Sequence, residues 1–154
     1  MSAFFLDTSA LAKRYVVEAG SSWVTALTES ASGNSCWISS VTPVELLAGF
    51  YRRVRVGALT FAQAQMAESV FRNELAVLFL LVDLSAIILQ EAMRLVAIHP
   101  LRAYDALQLA VALDLKTRRL GSGLESPTFV SADLNLNTAA AAEGLPIEDP
   151  NRFP

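Results

Sequence analysis

Four acidic residues stand where the sequence predicts that a strand gives way to a helix, or in the first turn of a helix. Asp7 directly follows the first predicted strand, and Asp133 follows the fourth. Glu45 and Asp105 lie in the first turns of two predicted helices. No histidine or cysteine cluster accompanies these acids, so the only ligands on offer are oxygens, which favour Mg²⁺ or Mn²⁺ over zinc.

Each acid also has an explanation that needs no metal. Glu45 and Thr42 match a capping box, Asp133 could cap its helix, Asp7 could form an Asx turn, and Asp105 could complement a helix dipole. Taken together, three or four carboxylates in one place would repel one another by roughly 1–4 kcal/mol per pair. A divalent cation would offset that repulsion, so the set as a whole predicts a metal site.

A metal held by carboxylates can activate a water molecule and neutralise a phosphodiester during in-line displacement. Four neighbouring polar residues are candidates for orienting the acids or holding water, although they also suit caps and turns: Thr8, Ser9, Ser131 and Asn137. Arg102 and Arg52 are candidates for contacts to phosphate groups. The predicted chemistry is therefore hydrolysis of a phosphodiester by Asp7, Glu45, Asp105 and Asp133.

The elements that must position these residues alternate between strand and helix. Strands are predicted at 3–6, 36–39, 78–82 and 128–131, with a short fifth at 145–147. Helices are predicted at 10–17, 23–30, 42–56, 60–77, 85–98, from 101 or 102 onwards, and at 133–143. This alternation indicates a parallel sheet in the order 3-2-1-4-5, whose strand ends would bring the acids to one edge.

The totals constrain the class of protein. The 154 residues fit a single domain over 1–147 and a loosely held tail over 148–154. A net charge of −3 gives no bulk attraction for nucleic acid, so RNA contacts must come from local basic clusters. A mean hydropathy of +0.41 favours a well-filled core and a partner interface, because no apolar run reaches the ~18 residues of a membrane span. The single cysteine and the absence of a basic leader suit the cytoplasm.

Two further residues are weighed and set aside. Asp83 also ends a predicted strand, but strand three lies at the edge of the predicted order, far from the central crevice. His99, the only histidine, stands in a loop beside Pro100 and is better explained by its place at a helix entrance. Neither is expected in the site.

Four stretches together resemble one known family. They are Phe5-Leu-Asp-Thr-Ser-Ala-Leu11, Glu45 with Tyr51-Arg52-Arg53 and Gly57, Leu101-Arg-Ala-Tyr-Asp-Ala-Leu-Gln-Leu-Ala110, and Phe129-Val-Ser-Ala-Asp-Leu-Asn-Leu-Asn137 with Glu143-Gly-Leu145. In this order, over nearly the whole chain, they resemble a PIN domain, and most closely a VapC-type toxin of a bacterial VapBC toxin–antitoxin pair. The resemblance implies a three-layer α/β/α sandwich with a mostly parallel sheet, Mg²⁺- or Mn²⁺-dependent RNA cleavage, a homodimer and a small antitoxin partner.

By position, Asp7, Glu45, Asp105 and Asp133 look like the acidic quartet of that family, whose fourth member is the most variable. Gln108 stands where relatives often carry a histidine. A PIN-like module that binds RNA or protein without cleaving it remains an alternative. A haloacid-dehalogenase-type phosphatase is disfavoured, because Ser9 stands where that class needs a second aspartate. The RNA target and the number of metal ions stay open.

Overall fold

A computed structural model describes residues 1–153 and contains one five-stranded sheet. The strands are β1 (Ala3–Leu6), β2 (Ser35–Ser39), β3 (Phe79–Val82), β4 (Thr128–Val130) and β5 (Ile147–Glu148). All pair in parallel, in the order β3-β2-β1-β4-β5. The predicted strand order is confirmed.

Seven helices cover the sheet: α1 (Thr8–Tyr15), α2 (Ser21–Thr28), α3 (Thr42–Arg55), α4 (Phe61–Leu78), α5 (Ala86–Ile98), α6 (Ala103–Gly121) and α7 (Leu134–Ala142). Short 3₁₀ helices lie after α2, at Ser30–Ser32, and after β5, at Pro150–Arg152. Every predicted helix exists, with ends displaced by no more than about two residues, as fraying ends usually are. No helix in residues 1–153 has both the length and the apolar character that crossing a membrane requires.

Two hydrophobic cores lie on opposite faces of the sheet. Helices α1 to α4 pack on one face, around fully buried side chains such as Leu11, Ile38 and Phe50. Helices α5 to α7 pack on the other, where the rings of Phe5 and Phe129 stack with centroids 5.8 Å apart. The expected three-layer α/β/α sandwich is therefore present, because a parallel sheet buries both its faces under crossover helices.

The register of the strand pairs brings the segments that follow β1, β2 and β4 close together. In β1, Leu6 pairs with Val130 of β4, and the amide of Asp7 still donates to the Val130 carbonyl at 3.1 Å. The residues that follow β1 and β4 therefore leave the sheet side by side. The segment after β2 lies on the other side of β1, so three chain segments meet at one edge.

The prediction of a loose C-terminal tail is wrong for residues 148–153. Glu148 belongs to β5, and the ring of Phe153 lies flat on Trp23, with centroids 4.5 Å apart and planes within 4°. Gly20 has a φ of +86°, and a Cβ there would run into the backbone of Pro150. The tail is thus packed against the start of α2. Residue 154 lies outside the described part.

Candidate active site

A cleft of about 410 Å³ opens at the carboxyl edge of the sheet. All four predicted acids line it, although they come from four separate parts of the chain: Asp7, Glu45, Asp105 and Asp133. We call this cavity the acid cleft. Its other polar or charged walls are Thr8, Ser9, Arg52, Arg53, Arg102, Tyr104 and Gln108.

Asp7 lies deepest, with 5% of its surface exposed, and is the N-cap of α1. Its Oδ1 accepts hydrogen bonds from the Ala10 amide and the Ser9 hydroxyl, both at 2.9 Å. Burial away from water disfavours the ionised form and raises the pKa of Asp7 from 3.8 to about 6, against the lowering effect of these donors. Among residues 1–153 this carboxylate has hydrogen-bond donors but no basic side chain within salt-bridge distance.

Asp133 and Asp105 act as helix caps with one oxygen each. Asp133 Oδ1 accepts from the Leu136 amide at 2.9 Å, and Asp105 Oδ2 accepts from the Arg102 amide at 3.3 Å. Burial, and to a smaller extent the negative charge of Asp133, raises the pKa of Asp105. Capping and a functional role are therefore compatible, because capping occupies only one of the two oxygens.

Glu45 is held differently from the sequence expectation. The predicted capping box with Thr42 is wrong, because α3 has Val41 as its N-cap and Thr42 lies inside the helix. Instead, Glu45 Oε2 accepts from the Thr8 hydroxyl at 2.7 Å and from the Gln108 amide at 2.5 Å. Two other helices, α1 in the same layer and α6 in the opposite layer, thus fix the direction of this side chain.

The remaining candidates for orienting groups form a chain of contacts beneath Asp7 and Asp133. Ser9 Oγ lies 3.4 Å from Ser131 Oγ and accepts from the Ala132 amide at 2.9 Å. Ser131 Oγ accepts from the Asp133 amide at 3.0 Å, while the Asn137 amide group donates to the Ser131 carbonyl at 2.7 Å. These side chains tie β1 to β4 at the point where both acids emerge.

The basic residues divide into two groups. Arg52 and Arg102 line the acid cleft and form no salt bridge within residues 1–153, whereas Arg53 is held by Glu18 at 2.7 Å. Another local basic cluster, formed by Lys116, Arg118 and Arg119, does not line the cleft. Asp83 does not line it either, and the ring of His99 lies 2.7 Å from a Glu143 oxygen, as the sequence analysis expected of residues outside the site.

No three acidic, histidine or cysteine side chains in residues 1–153 converge closely enough to form a ready-made metal group. The donor chemistry nevertheless fits a hard divalent cation. None of the four acids forms an ion pair within that part of the chain. Within residues 1–153, Glu45, Asp105 and Asp133 each have one carboxylate oxygen that accepts no hydrogen bond from the protein. Oxygen-only donors that are free of ion pairs suit Mg²⁺ or Mn²⁺.

Sequence reasoning missed two residues that the structure places in the site. Gln108 is 2% exposed and its amide nitrogen also lies within 3.0–3.1 Å of the Thr42 and Thr8 hydroxyls. Its spacing of three from Asp105 on one helix was the available signal, since such residues share a face. Tyr104 stands on the rim of the cleft, and nothing in the local pattern distinguished it from a core aromatic residue.

Comparison with known proteins gives one family. A family model described as PIN domain matches residues 4–139. The search of curated proteins found no match. Among solved structures, VapBC2 from Rickettsia felis, solved with a promoter DNA fragment, superposes with a TM-score of 0.63 at 16% identity, covering 96% of this chain and 98% of that one.

Two other solved structures are similar. FitAcB from Neisseria gonorrhoeae gives a TM-score of 0.65 at 14% identity, covering 96% of this chain and 97% of that one. VapC20 from Mycobacterium tuberculosis, described as a sarcin-ricin loop cleaving toxin, gives 0.62 at 17%, covering 94% and 96%. At these identities the likeness is one of fold.

Proposed function

Since this chain belongs to the PIN domain family, we propose that it is a Mg²⁺- or Mn²⁺-dependent endoribonuclease that hydrolyses RNA phosphodiester bonds. The observation that carries the proposal is the meeting of Asp7, Glu45, Asp105 and Asp133 in one cleft, where none of them forms an ion pair within residues 1–153. A cluster of this kind lowers stability unless a ligand uses it, because like charges repel across a partly desolvated space.

The four acids would hold the cation, which supplies charge neutralisation at the phosphate and activation of water when it is bound. Thr8 and Gln108 would keep Glu45 in place, and Ser9 would do the same for Asp7. Arg52 and Arg102 would bind neighbouring phosphates, since both side chains line the cleft without an ion-pair partner in the described chain. Asp133 is exposed and contributes the least constrained carboxylate.

We further propose that the protein is the toxin of a type II toxin–antitoxin pair, inhibited by a small antitoxin protein, and that it forms a homodimer. Support comes from the similar structures, which include VapBC2 and FitAcB. The surface is compatible with partners, because it exposes many large apolar side chains, among them Val77, Ile87 and Met93. Co-expression with the product of a neighbouring small gene, followed by co-purification, tests the partner.

The central experiment is cleavage of a mixed cellular RNA by the purified wild-type protein and by its Asp7→Asn and Asp105→Asn variants. Wild-type cleavage should require Mg²⁺ or Mn²⁺ and cease in EDTA. Each variant should lose at least ~10³-fold in rate, because both changes remove a charge that the cation needs. Thermal unfolding of each variant establishes that the fold is kept.

Asp83→Asn is the matched control, because Asp83 also follows a strand but lies outside the acid cleft. It should cleave RNA at the wild-type rate. Cleavage that persists in EDTA, or that survives both Asp7→Asn and Asp105→Asn, would contradict the proposed chemistry.

One observation favours a second candidate, a PIN-like module that binds RNA or protein without cleaving it. In the described residues the acids share a cleft but do not already form a metal-ligand group. Calorimetric titration with Mn²⁺ separates the two candidates. Heat of binding that disappears in Asp105→Asn supports the nuclease, whereas RNA binding with no uptake of Mn²⁺ supports the binding module.

A further inference from the structure

A second cavity, of about 380 Å³, opens beside the acid cleft. The two cavities share Glu45, Arg52 and Tyr104 as wall residues. We call the second cavity the side pocket. Its remaining walls are the small or aliphatic residues Ser40, Val41, Val44 and Ala48. An apolar pocket of this size adjoining a charged cleft is typical of a ligand site with two chemically different halves.

The register of α3 produces this arrangement. Val44, Ala48 and Arg52 follow one another at intervals of four, so they lie in one row along the helix and line the side pocket. Glu45 and Gly49 lie in the adjacent row and line the acid cleft. One helix therefore presents Val44 and Ala48 to the side pocket and Gly49 to the acid cleft, while Glu45 and Arg52 line both cavities.

Tyr104 forms the opposite wall, from the first turn of α6. It immediately precedes Asp105, and 59% of its surface is exposed. Within the described residues its hydroxyl makes no hydrogen bond and its ring has no aromatic neighbour. Val44 across the pocket is 73% exposed. A planar ring and an aliphatic wall thus face a space that no other element of the described chain covers.

Charge indicates what the pocket would take. Arg52 lies at the junction of the two cavities and has no salt-bridge partner in residues 1–153, whereas the next arginine, Arg53, is neutralised by Glu18. An aromatic face and an unpaired guanidinium are the groups that bind the base and the phosphate of single-stranded nucleic acid. A wholly apolar partner would leave Arg52 and Glu45 without a counterpart.

We propose that the side pocket binds one unpaired nucleobase of an RNA strand whose adjoining phosphate lies in the acid cleft. Tyr104 stacks on the base, Val44 and Ala48 contact its other side, and Arg52 binds the phosphate. This inference rests on the proposed function and specifies its substrate as unpaired RNA, because a base within a duplex could not leave its stack to enter the pocket without a cost.

The test measures binding of a short fluorescent single-stranded RNA with Ca²⁺ in place of Mg²⁺ or Mn²⁺. Ca²⁺ also takes oxygen ligands and offsets the charge of the acid cleft, and a gel of the recovered RNA establishes that it stays intact. Tyr104→Ala should weaken binding roughly tenfold, the size of effect that loss of one base stack produces, and Tyr104→Phe should keep most of the affinity. Phe61→Ala is the matched control, because Phe61 is equally exposed, at 57%, but lines neither cavity. It should bind RNA like the wild type.

A series of the same RNA with one abasic position each then locates the base. At one position the abasic RNA should bind wild type about as weakly as intact RNA binds Tyr104→Ala, and the two changes together should cost little more than either alone. Additive losses at every position, or unchanged affinity of Tyr104→Ala, would overturn the proposal. The proposal would also be overturned if Tyr104→Ala kept its RNA affinity but lost a dimer that the wild type shows in sedimentation, because a second copy would then cover the pocket.

The outcomes separate this inference from the proposed nuclease. Metal-dependent cleavage with no effect of Tyr104→Ala on binding would remove the side-pocket assignment and leave the nuclease intact. Base-dependent binding through Tyr104 without any cleavage would do the reverse. If the wild-type protein binds no RNA in this assay, that result alone would overturn the side-pocket assignment.

Discussion

The acid cleft and a second polar cluster differ in whether their carboxylates are paired with a basic side chain. In the second cluster Glu74 of α4 accepts two hydrogen bonds from the Arg14 guanidinium, at 2.8 and 2.9 Å, and one from the Tyr15 hydroxyl at 2.8 Å. The Arg14 guanidinium holds the pKa of Glu74 below its ordinary value. In the acid cleft, burial raises the pKa of Asp7 to about 6, and Asp7 forms no ion pair within residues 1–153.

The paired charges of the second cluster stabilise the fold, whereas the ionised acids of the cleft do not. The Arg14–Glu74 pair joins α1 to α4 and satisfies both ions internally. In the acid cleft Asp7, Asp105 and Asp133 keep a capping bond each and Glu45 is held by two side-chain donors, but none of the four forms an ion pair within residues 1–153. The comparison therefore predicts that neutralising Asp7 in the acid cleft should stabilise the fold, whereas removing the cation that pairs with Glu74 should destabilise it.

The largest effect is expected for Asp7→Asn in EDTA. A folded-state pKa of about 6 against 3.8 means that ionised Asp7 destabilises the fold, so protonation stabilises it fully below pH 3.8 and this gain is lost as the pH rises through 6. Asparagine is neutral and caps helices as well as aspartate does. The variant should thus be more stable at pH 7.5 by up to about 3 kcal/mol. Urea unfolding measures the difference.

The pH dependence provides the control for Asp7→Asn. The advantage of the variant should shrink between pH 7 and pH 4 and vanish below, where the wild-type carboxyl is itself neutral. Saturating Mn²⁺ should reverse the order at pH 7.5, because only the wild type gains binding energy from the cation. A variant that is less stable than wild type in EDTA at pH 7.5 would contradict the comparison.

A somewhat smaller effect, of opposite sign, is expected in the second cluster. Arg14→Met leaves the partly buried Glu74 carboxylate without its cation and should destabilise the protein by about 2 kcal/mol. The double variant Arg14→Met/Glu74→Leu should recover most of that loss, since it removes the stranded charge. Failure of the double variant to recover would mean that packing of the Arg14 side chain, rather than charge, stabilises this region.

The smallest effect on stability is expected for Gln108→Leu, which should lower the free energy of unfolding by about 1 kcal/mol. The change removes a neutral amide group and its hydrogen bonds. RNA cleavage should fall roughly tenfold, since Glu45 loses one of its two donors and can turn away. Gln108→His keeps a ring N–H donor and should cleave RNA faster than Gln108→Leu. Equal rates for the two variants would show that Gln108 does not position Glu45.

Local patterns were sufficient for most of the fold. The run Ala3–Leu6, the proline-started helix at Thr42 and the order of the strands all follow from apolar periodicity and the rules of parallel sheets. The placing of Asp7 and Asp133 at one edge follows from the same rules, because β1 and β4 are neighbours. These features depend on residues close in sequence, or on topology alone.

What the sequence did not reveal depends on contacts between distant side chains. Glu45 was assigned to a local capping box, but its hydrogen bonds come from Thr8 of α1 and Gln108 of α6, which are far from it in sequence. The tail was expected to be loose because nothing near Phe153 in sequence indicates that Trp23 lies beneath it. Such contacts appear only once the helices are packed.

The seating of residues 147–153 also protects the sheet from self-association. Strand β5 covers the outer edge of β4, where Phe129 and Val130 would otherwise present free backbone donors and acceptors beside a very apolar surface. A version of the protein shortened at residue 146 would leave that edge bare and strip the cover from Trp23. Such a version should aggregate on expression, even though every residue of the acid cleft would still be present.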